Sequence, residues 1–242
     1  MALPHEVEPA LAAEGLDVLH LPDTGGVATD VLVRALLAVC AARGVEVRAG
    51  AEVERVVPGA VELRGGERLV CGTVVVATGA WVPEPLRASV PVRPVLGESL
   101  VVRPGAGAGA PRVPIRSSAG SVVPRADGTC WLGTTVLDRG FQSAASLGSV
   151  AAIAANATRL VPSLADAAFV EARAGLRPVS ADGLPLLGPA RDDRDTVVLA
   201  TGHGREGIIH APPTATLLAD GVLDGAWDRI PPALRATRAP SA

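Results

Sequence analysis

The chain has 242 residues, a formal net charge of −3 and 48% hydrophobic residues, but only 2% aromatic ones. That length buries a substantial core of one large or two small domains, made here chiefly of Ala, Val and Leu. Acids and bases are mixed along the chain with no basic stripe, which argues against a nucleic-acid or membrane surface. The total absence of lysine excludes a pyridoxal Schiff base and a lysine-bearing phosphate loop.

The first residues, MALPHEVEPALAAEG, lack a basic region followed by an apolar run, so no secretory signal is expected. No apolar stretch reaches the ~18 residues of a membrane span, and the expected location is cytoplasmic. Leu3 to Leu21 reads as an irregular lead-in ending in a short strand, Val18–Leu21, and Asp23-Thr24-Gly25-Gly26 as a turn. Asp30 is placed to cap a helix over Val31–Ala42, with an apolar stripe at Val31, Ala35, Leu36 and Val39 and Gly44 as its left-handed stop. Val45–Gly50 and Val53–Val57 read as strands, and Ala60–Cys71 as a hairpin turning at Gly65-Gly66. Thr73–Thr78 is a nearly pure β-branched run, expected as a buried parallel strand.

From Val90 the pattern becomes antiparallel. A long strand with a kink at Gly97 leads to a flexible glycine loop, Pro104–Pro111. Val113–Arg116, Ser121–Pro124 and Cys130–Thr134 come next, with a tight turn at Asp127-Gly128. Leu147–Leu160 is expected as a helix and Phe169–Pro178 as a long strand. Leu184–Leu187 and Thr196–Ala200 are shorter strands, and the tail from Ala226 is expected to fray. Cys40, Cys71 and Cys130 show no C-x-x-C and read as free, buried thiols. With His5, His20, His203 and His210 equally dispersed, no metal site is legible.

Thr196–Leu223 combines a strand, a turn through Gly202, Gly204 and Gly207, and a helix expected from about Ala211, with Pro212 and Pro213 in its first turn. Glycines let the backbone come close to a ligand, and free N–H groups at a helix start point at it. Gly202-x-Gly204-x-x-Gly207 matches the dinucleotide fingerprint literally. A true fingerprint unit needs a second parallel strand with an acidic residue, and DGAWDRIPPALRATRAPSA is too polar and proline-rich to supply it. Two other readings of this stretch stay open: a plain strand–turn–helix closing an α/β sheet, and a nicotinamide-binding dehydrogenase.

Four segments, VVVATGAWVPEPL (74–86), VVPRADGTCWLGTTVLDRGF (122–141), GLRPVSADGLPLLGP (175–189) and ATGHGREGI (200–208), resemble in order and spacing the D-amino-acid oxidase-like flavoproteins, most of all glycine oxidase of thiamine biosynthesis. The resemblance runs from about Leu11 to Leu223. It implies an α/β (α+β) chain: a partial, Rossmann-like FAD-binding domain over 1–89 and 177–225, and a mostly antiparallel substrate domain over 90–176. It implies FAD as cofactor, and a small amino acid or amine as substrate, oxidised at its C–N bond with release of peroxide.

Carried over residue by residue, the resemblance places Val53 at the adenine, Thr78, Gly79, Ala80 and Trp81 against the cofactor, and the backbone of His203, Gly204, Arg205, Glu206, Gly207, Ile208 and Ile209 along the flavin ring. It makes Arg177 the bidentate clamp for a substrate carboxylate and Arg205 a second substrate-facing arginine. Where glycine oxidase has a tyrosine and a nearby histidine, this chain has Ser121 and Ala119, and Val136 stands where it has a methionine. The family's own GxGxxG unit, which grips the pyrophosphate, has no counterpart in the first thirty residues. The expectations this raises are a misassigned or truncated start, a second chain supplying that unit, or a degenerate relative without FAD; a homo-oligomer is a further option.

Overall fold

The computed structural model describes residues 4–12, 14–15, 17–23, 25–105, 109–191 and 194–238. Parts of four expected features lie outside them: Leu3, Ala13 and Leu16 in the lead-in, Thr24 in the first turn, Ala106–Ala108 in the glycine loop and the last four residues of the tail. In chain order the elements are helices α1 (Pro4–Val7) and α2 (Thr29–Ala42), strands β1 (Val53–Val57), β2 (Ala60–Leu63), β3 (Arg68–Val70), β4 (Val74–Val76), β5 (Val92–Arg103), β6 (Ile115–Ser117), β7 (Gly120–Pro124) and β8 (Cys130–Gly133). Helix α3 (Leu147–Leu160), strands β9 (Ala168–Ser180), β10 (Leu186–Arg191) and β11 (Arg194–Thr201), and helix α4 (Gly207–Asp224) complete them. The fold is thus mixed helix and strand with largely antiparallel sheets. The chain divides into two compact units, 1–36 with 96–175 and 37–95 with 176–242.

The first unit is built on a sheet of order β6-β7-β8-β5-β9. Strand β5 runs unbroken through Gly97 and pairs antiparallel with β8, Leu100 opposite Leu132. Leu100 and Val102 lie two residues apart, so they share one sheet face. Helix α3 presents Ile153, Ala157 and Leu160 at helical spacing, and these residues join Leu100, Val102, Val122 and Leu132 in one buried cluster. Full burial of each large aliphatic side chain contributes about 1.5–3 kcal/mol. The start of α3 is fixed from β5: buried Glu98 accepts from the Ser146 N–H at 2.6 Å and from the Thr135 hydroxyl at 2.9 Å. Burial opposes ionisation of Glu98, but hydrogen bonds from Ser149, Ser146 and Thr135 outweigh it and hold the carboxyl below its ordinary value.

The second unit holds a β1-β2-β3 meander and a sheet of order β10-β11-β4. Strand β4 pairs parallel with β11, Val74 opposite Val197 and Val76 opposite Leu199. Both faces of β11 are covered. Val197 and Leu199 pack with Val74, Val76, Val82 and Leu186, while Val198 packs with Leu187, Leu218 and Ile230. A strand buried on two faces reads as a continuous apolar run, which is why 196–200 shows no alternation in the sequence.

Several expectations are corrected. Val18–Leu21 and Val45–Gly50 are not strands; their β-branched residues find no partner, and β propensity is realised only through pairing. Asp30 lies inside the first turn of α2 and takes the Arg125 guanidinium at 3.0 Å instead of capping the helix from outside. The apolar stripe of α2 covers nothing: Val31, Leu36 and Val39 are each at least half exposed. Cys71 is exposed and Cys40 half-buried, leaving Cys130 as the one buried thiol of the three. Burial, with Asp127 and Glu8 adding to it, pushes the Cys130 thiol up to about 11.

The tail does not fray through Arg238. The Arg238 guanidinium takes both Asp182 oxygens, at 2.7 Å each, and the Pro185 carbonyl at 2.8 Å, while the Ala236 N–H donates to the Leu187 carbonyl at 2.8 Å. Arg238, with the Leu184 N–H and the Ser180 hydroxyl, holds the Asp182 carboxyl well below the ordinary carboxylate value. A depressed folded value stabilises the fold above the unfolded value near pH 4, and that contribution is lost as pH falls. Asp182→Asn is expected to lower stability by about 2 kcal/mol, roughly 4–8 °C in melting temperature near pH 7. The gap to wild type should narrow on acidification, checked by thermal melts from neutral to acid pH.

Candidate functional site

Parallel pairing of β4 with β11 brings two chain reversals side by side at the strands' carboxyl ends. One runs through Thr78, Gly79, Ala80 and Trp81; the other begins at Gly202. The buried Thr201 hydroxyl locks them, donating to the Gly79 carbonyl at 2.7 Å. Both reversals need a left-handed residue, with φ of 61° at Gly79, 79° at Gly202 and 56° at Gly204. Gly202 is also boxed in, since a Cβ there would meet the Leu186 nitrogen and the Ser180 Cβ at 3.3 Å. Gly79 and Gly204 differ: a Cβ on either would meet nothing within 4 Å, so both face open space.

The end of β9 is stitched onto this corner. The Gly204 N–H donates to the Pro178 carbonyl at 2.7 Å, and Val179 forms a bridge with His203. This brings Arg177 within electrostatic reach of Arg205. Burial first, and then the Arg205 charge, lower the Arg177 guanidinium below its usual value. Arg205 itself is exposed and sits 3.2 Å from Glu206. Two guanidiniums drawn together by backbone bonds favour an anion between or beside them.

Helix α4 begins at Gly207, four residues earlier than its prolines suggest, so the intervening loop is short. Its first helical bond runs from the His210 N–H to the Glu206 carbonyl at 3.0 Å. Glu206 supplies no side-chain cap. The N–H groups of Gly207, Ile208 and Ile209 therefore stand outside the helical ladder, at the positive end of the helix dipole. Pro212 and Pro213 sit in the second turn, where each removes one ladder bond while its fixed φ remains helical.

His203 is the loop's second anchor, its Nε2 lying 3.1 Å from the Thr214 hydroxyl on α4. Thr201 and Thr214, which position this loop, carry no signal in the sequence beyond an ordinary strand and helix threonine. Of the other expected residues, Ala80 is buried, Thr78, Trp81, Ile208 and Ile209 are exposed, and Val53 packs onto the core formed by Val74 and Val76. None of the hydrogen bonds that unite the two corners reaches Val53. Ser121, on β7, and Ala119 border a cavity of about 70 Å³ in the first unit, where the Asn156 amide donates to the Ala119 carbonyl at 3.0 Å. Among the described residues, no three metal-ligating side chains gather and no helix is long and apolar enough to cross a membrane.

A sequence model of the family described as FAD dependent oxidoreductase matches residues 3–221. The chain belongs to this family of D-amino-acid oxidase-like FAD-dependent oxidoreductases. It is 32% identical over 225 residues to glycine oxidase of Geobacillus kaustophilus, covering 89% of this chain and 58% of that enzyme. It is also 32% identical over 241 residues to the bifunctional ThiO/ThiG protein of Trichormus variabilis, covering 95% of this chain and 35% of that protein. The crystal structure of the Geobacillus enzyme superposes with a TM-score of 0.79 at 30% identity, over 89% of this chain and 60% of that one. Iminodiacetate oxidase from Chelativorans sp. BNC1 shares the fold, with a TM-score of 0.84 at 24% identity over 98% of this chain and 66% of that one. The chain thus spans under two thirds of the length of these relatives. FAD is the family's cofactor, and the corner fits part of it. Gly79 and Gly204 leave room for a close approach, and the bare start of α4 and the arginine pair offer donors to an electron-rich group.

Burial first, and the charge of His210 second, lower His203 below its ordinary 6.5. A histidine depressed in the fold stabilises it above the unfolded value near pH 6.5, and that contribution fades as pH falls. Histidine-selective NMR is expected to find His203 titrating below 6.5. After correction for intrinsic rates, hydrogen exchange of the 202–206 amides should rise on acidification in the wild type and less in His203→Gln.

Proposed function

We propose that the chain carries out FAD-dependent oxidation of glycine, or of a similarly small amino acid or amine, to the imine with release of hydrogen peroxide. The observation that carries this reading is the arginine pair: the strand end bearing Arg177 is hydrogen-bonded to the glycine loop bearing Arg205, beside the uncapped start of α4. When bound, FAD accepts the two electrons of the C–N oxidation and passes them to oxygen. The residues of the chain do the rest. Arg177 grips the substrate carboxylate, with Arg205 as a second cation for it. The N–H groups of Gly207, Ile208 and Ile209 meet the flavin where negative charge develops, with the His203–Glu206 backbone along the ring. Thr78, Gly79, Ala80 and Trp81 contact the cofactor from the β4 side, and Val53 lies at its adenine end.

In this reading 1–89 and 177–225 serve as the FAD-binding domain and 90–176 as the substrate domain. Ser121 and Ala119 offer no phenol or imidazole to the substrate, so carboxylate recognition falls on the arginines and the range of amines accepted is broader than glycine. The resemblance to glycine oxidase supports a place in thiamine biosynthesis and a cytoplasmic setting.

Two observations favour a second reading, a flavoprotein subunit completed by another polypeptide. Helix α2 buries none of its residues, and β4 ends its sheet as a parallel edge strand with Val75 exposed. Open parallel edges normally receive a further strand. Co-expression with the reading frame immediately upstream decides it: unchanged solubility and flavin content would argue against the subunit.

Incubation of the purified chain with FAD is expected to yield a yellow protein that releases peroxide with glycine, sarcosine or D-alanine. A colourless protein that takes up no FAD would overturn the oxidase. Arg177→Met should raise KM for the amino acid by about 100-fold, the loss of one bidentate charge-assisted contact, with flavin absorbance unchanged.

A further inference from the structure

We propose that two copies of this chain pair through strand β9, antiparallel about a twofold axis at Ala172, so that their sheets join edge to edge. The proposal goes beyond the oxidase reading and does not depend on it, since it uses no residue of the arginine and glycine corner.

Strand β9 is one edge of the sheet β6-β7-β8-β5-β9. The opposite edge, β6, is three residues long, whereas β9 has 13. Shortness, proline and lysine are the usual protections of an edge. The first part of β9, Ala168–Gly175, reads AFVEARAG and has neither proline nor lysine. All of it belongs to the first unit. It is open on both faces: Phe169, Arg173 and Gly175 are exposed on one, Ala168, Val170 and Ala172 on the other. Phe169 is 61% exposed, and a Cβ on Gly175 would meet nothing within 4 Å. An edge this long, open and apolar offers its outer N–H and C=O groups to a further strand.

Charge decides which strand that is. Glu171 and Arg173 flank Ala172 and share one face, the Arg173 Nε donating to the Glu171 carboxylate at 2.8 Å. Directly opposite residues of an antiparallel pair also share a face. With Ala172 opposite its own copy, Glu171 falls opposite the partner's Arg173, and Arg173 opposite the partner's Glu171. The four charges then alternate in sign around a closed ring, and opposite charges across a strand pair are stabilising. The same register lays Phe169 against the partner's Gly175, an aromatic ring covering an edge glycine, and Val170 against the partner's Ala174. Competing arrangements bring like charges together. A slip of two residues, the smallest that keeps the faces matched, sets Glu171 against its own copy in one direction and Arg173 against its own copy in the other. A parallel in-register pairing does both, which is unfavourable. One short segment therefore both invites a strand and selects a self-complementary twofold pair over an open stack.

Analytical ultracentrifugation of the full chain over a range of concentrations tests it. The mass is expected to rise reversibly toward twice the 24.4 kDa of one chain and to stop there. Glu171→Arg alone should raise the dimer dissociation constant by about tenfold or more, because two opposite-charge pairs become two like-charge pairs. Arg173→Glu alone should do the same. Both side chains are largely in solvent, so the melting temperature of the monomer should hold. Mixing the two variants should restore the dimer, as should the double exchange E171R/R173E in one chain. A second readout needs no change of charge. In a Cys71→Ser background, which removes the exposed thiol, oxidation of Ala172→Cys should link two chains by a disulfide. Directly opposite Cα atoms lie about 4.5–5.5 Å apart, within disulfide reach. Val170→Cys should not link, since its own copy lies four residues along the paired strand. A chain that keeps the mass of one copy at every concentration would overturn the proposal. So would a dimer indifferent to both charge reversals, single variants that fail to associate when mixed, or growth into larger open assemblies.

Discussion

The three-residue parallel pairing between β4 and β11 is the constraint on which the functional corner depends. Strands that run parallel end on the same side, so the segments leaving them are delivered to one place. Here both strands exit into a glycine reversal, and the Thr201 hydroxyl bonded to the Gly79 carbonyl turns proximity into a fixed relation. The same pairing explains why Val197, Val198 and Leu199 are all buried: a strand this central has no solvent face. Shifting the register by one residue would send Val198 to the wrong core and carry Thr201 away from Gly79.

Electrostatics is layered on that frame. The chain concentrates positive character at the glycine corner from three independent sources: Arg177 at the end of β9, Arg205 in the loop, and the bare start of α4. Backbone bonds, above all the one from Gly204 to Pro178, fix where the segments that bear them meet, while the exposed Arg205 side chain rests against Glu206. Pre-set donors need no reorganisation when negative charge appears nearby, which is the property that distinguishes a site from a merely basic surface. His203 is tuned the opposite way. Its burial and the neighbouring His210 favour the neutral ring, so it anchors the loop to Thr214 without adding a further cation at ordinary pH.

Elements with strong local periodicity are legible in the sequence. Helix α3 falls on its apolar stripe with Ser146 as its N-cap, and the valine run at 74–76 emerges as a parallel strand. The expected strands at 18–21 and 45–50 fail for the opposite reason. Their composition suits a sheet, but sheet formation is settled by a partner, and none pairs with them. The start of α4 is displaced from its expected position because proline is common in a first turn but does not define one, and here a turn beginning at Gly207 forms ahead of it. The glycines of the corner and Arg177 can be named from motifs. Thr201, Thr214 and the Asp182–Arg238 clamp cannot, because their roles exist only through side-chain contacts that the fold brings together, such as Thr201 to Gly79 and Thr214 to His203.

Helix α4 shows how one element can serve both ends of a unit. At its first residues the backbone is left uncapped, which loses local helix stability and gains donors beside the glycine loop. Near its last turn Gly221 again weakens the helix, this time to admit the Trp227 ring. Between the two, Pro212 and Pro213 remove two more ladder bonds. A helix with so many local penalties is not sustained by propensity. It is held by Leu218 in the core with Val198 and Leu187, by the Thr214 contact to His203, and by the left-handed stop at Gly225. Tertiary packing therefore bears the stability of α4, and this leaves its first turn available for binding instead of for side-chain capping.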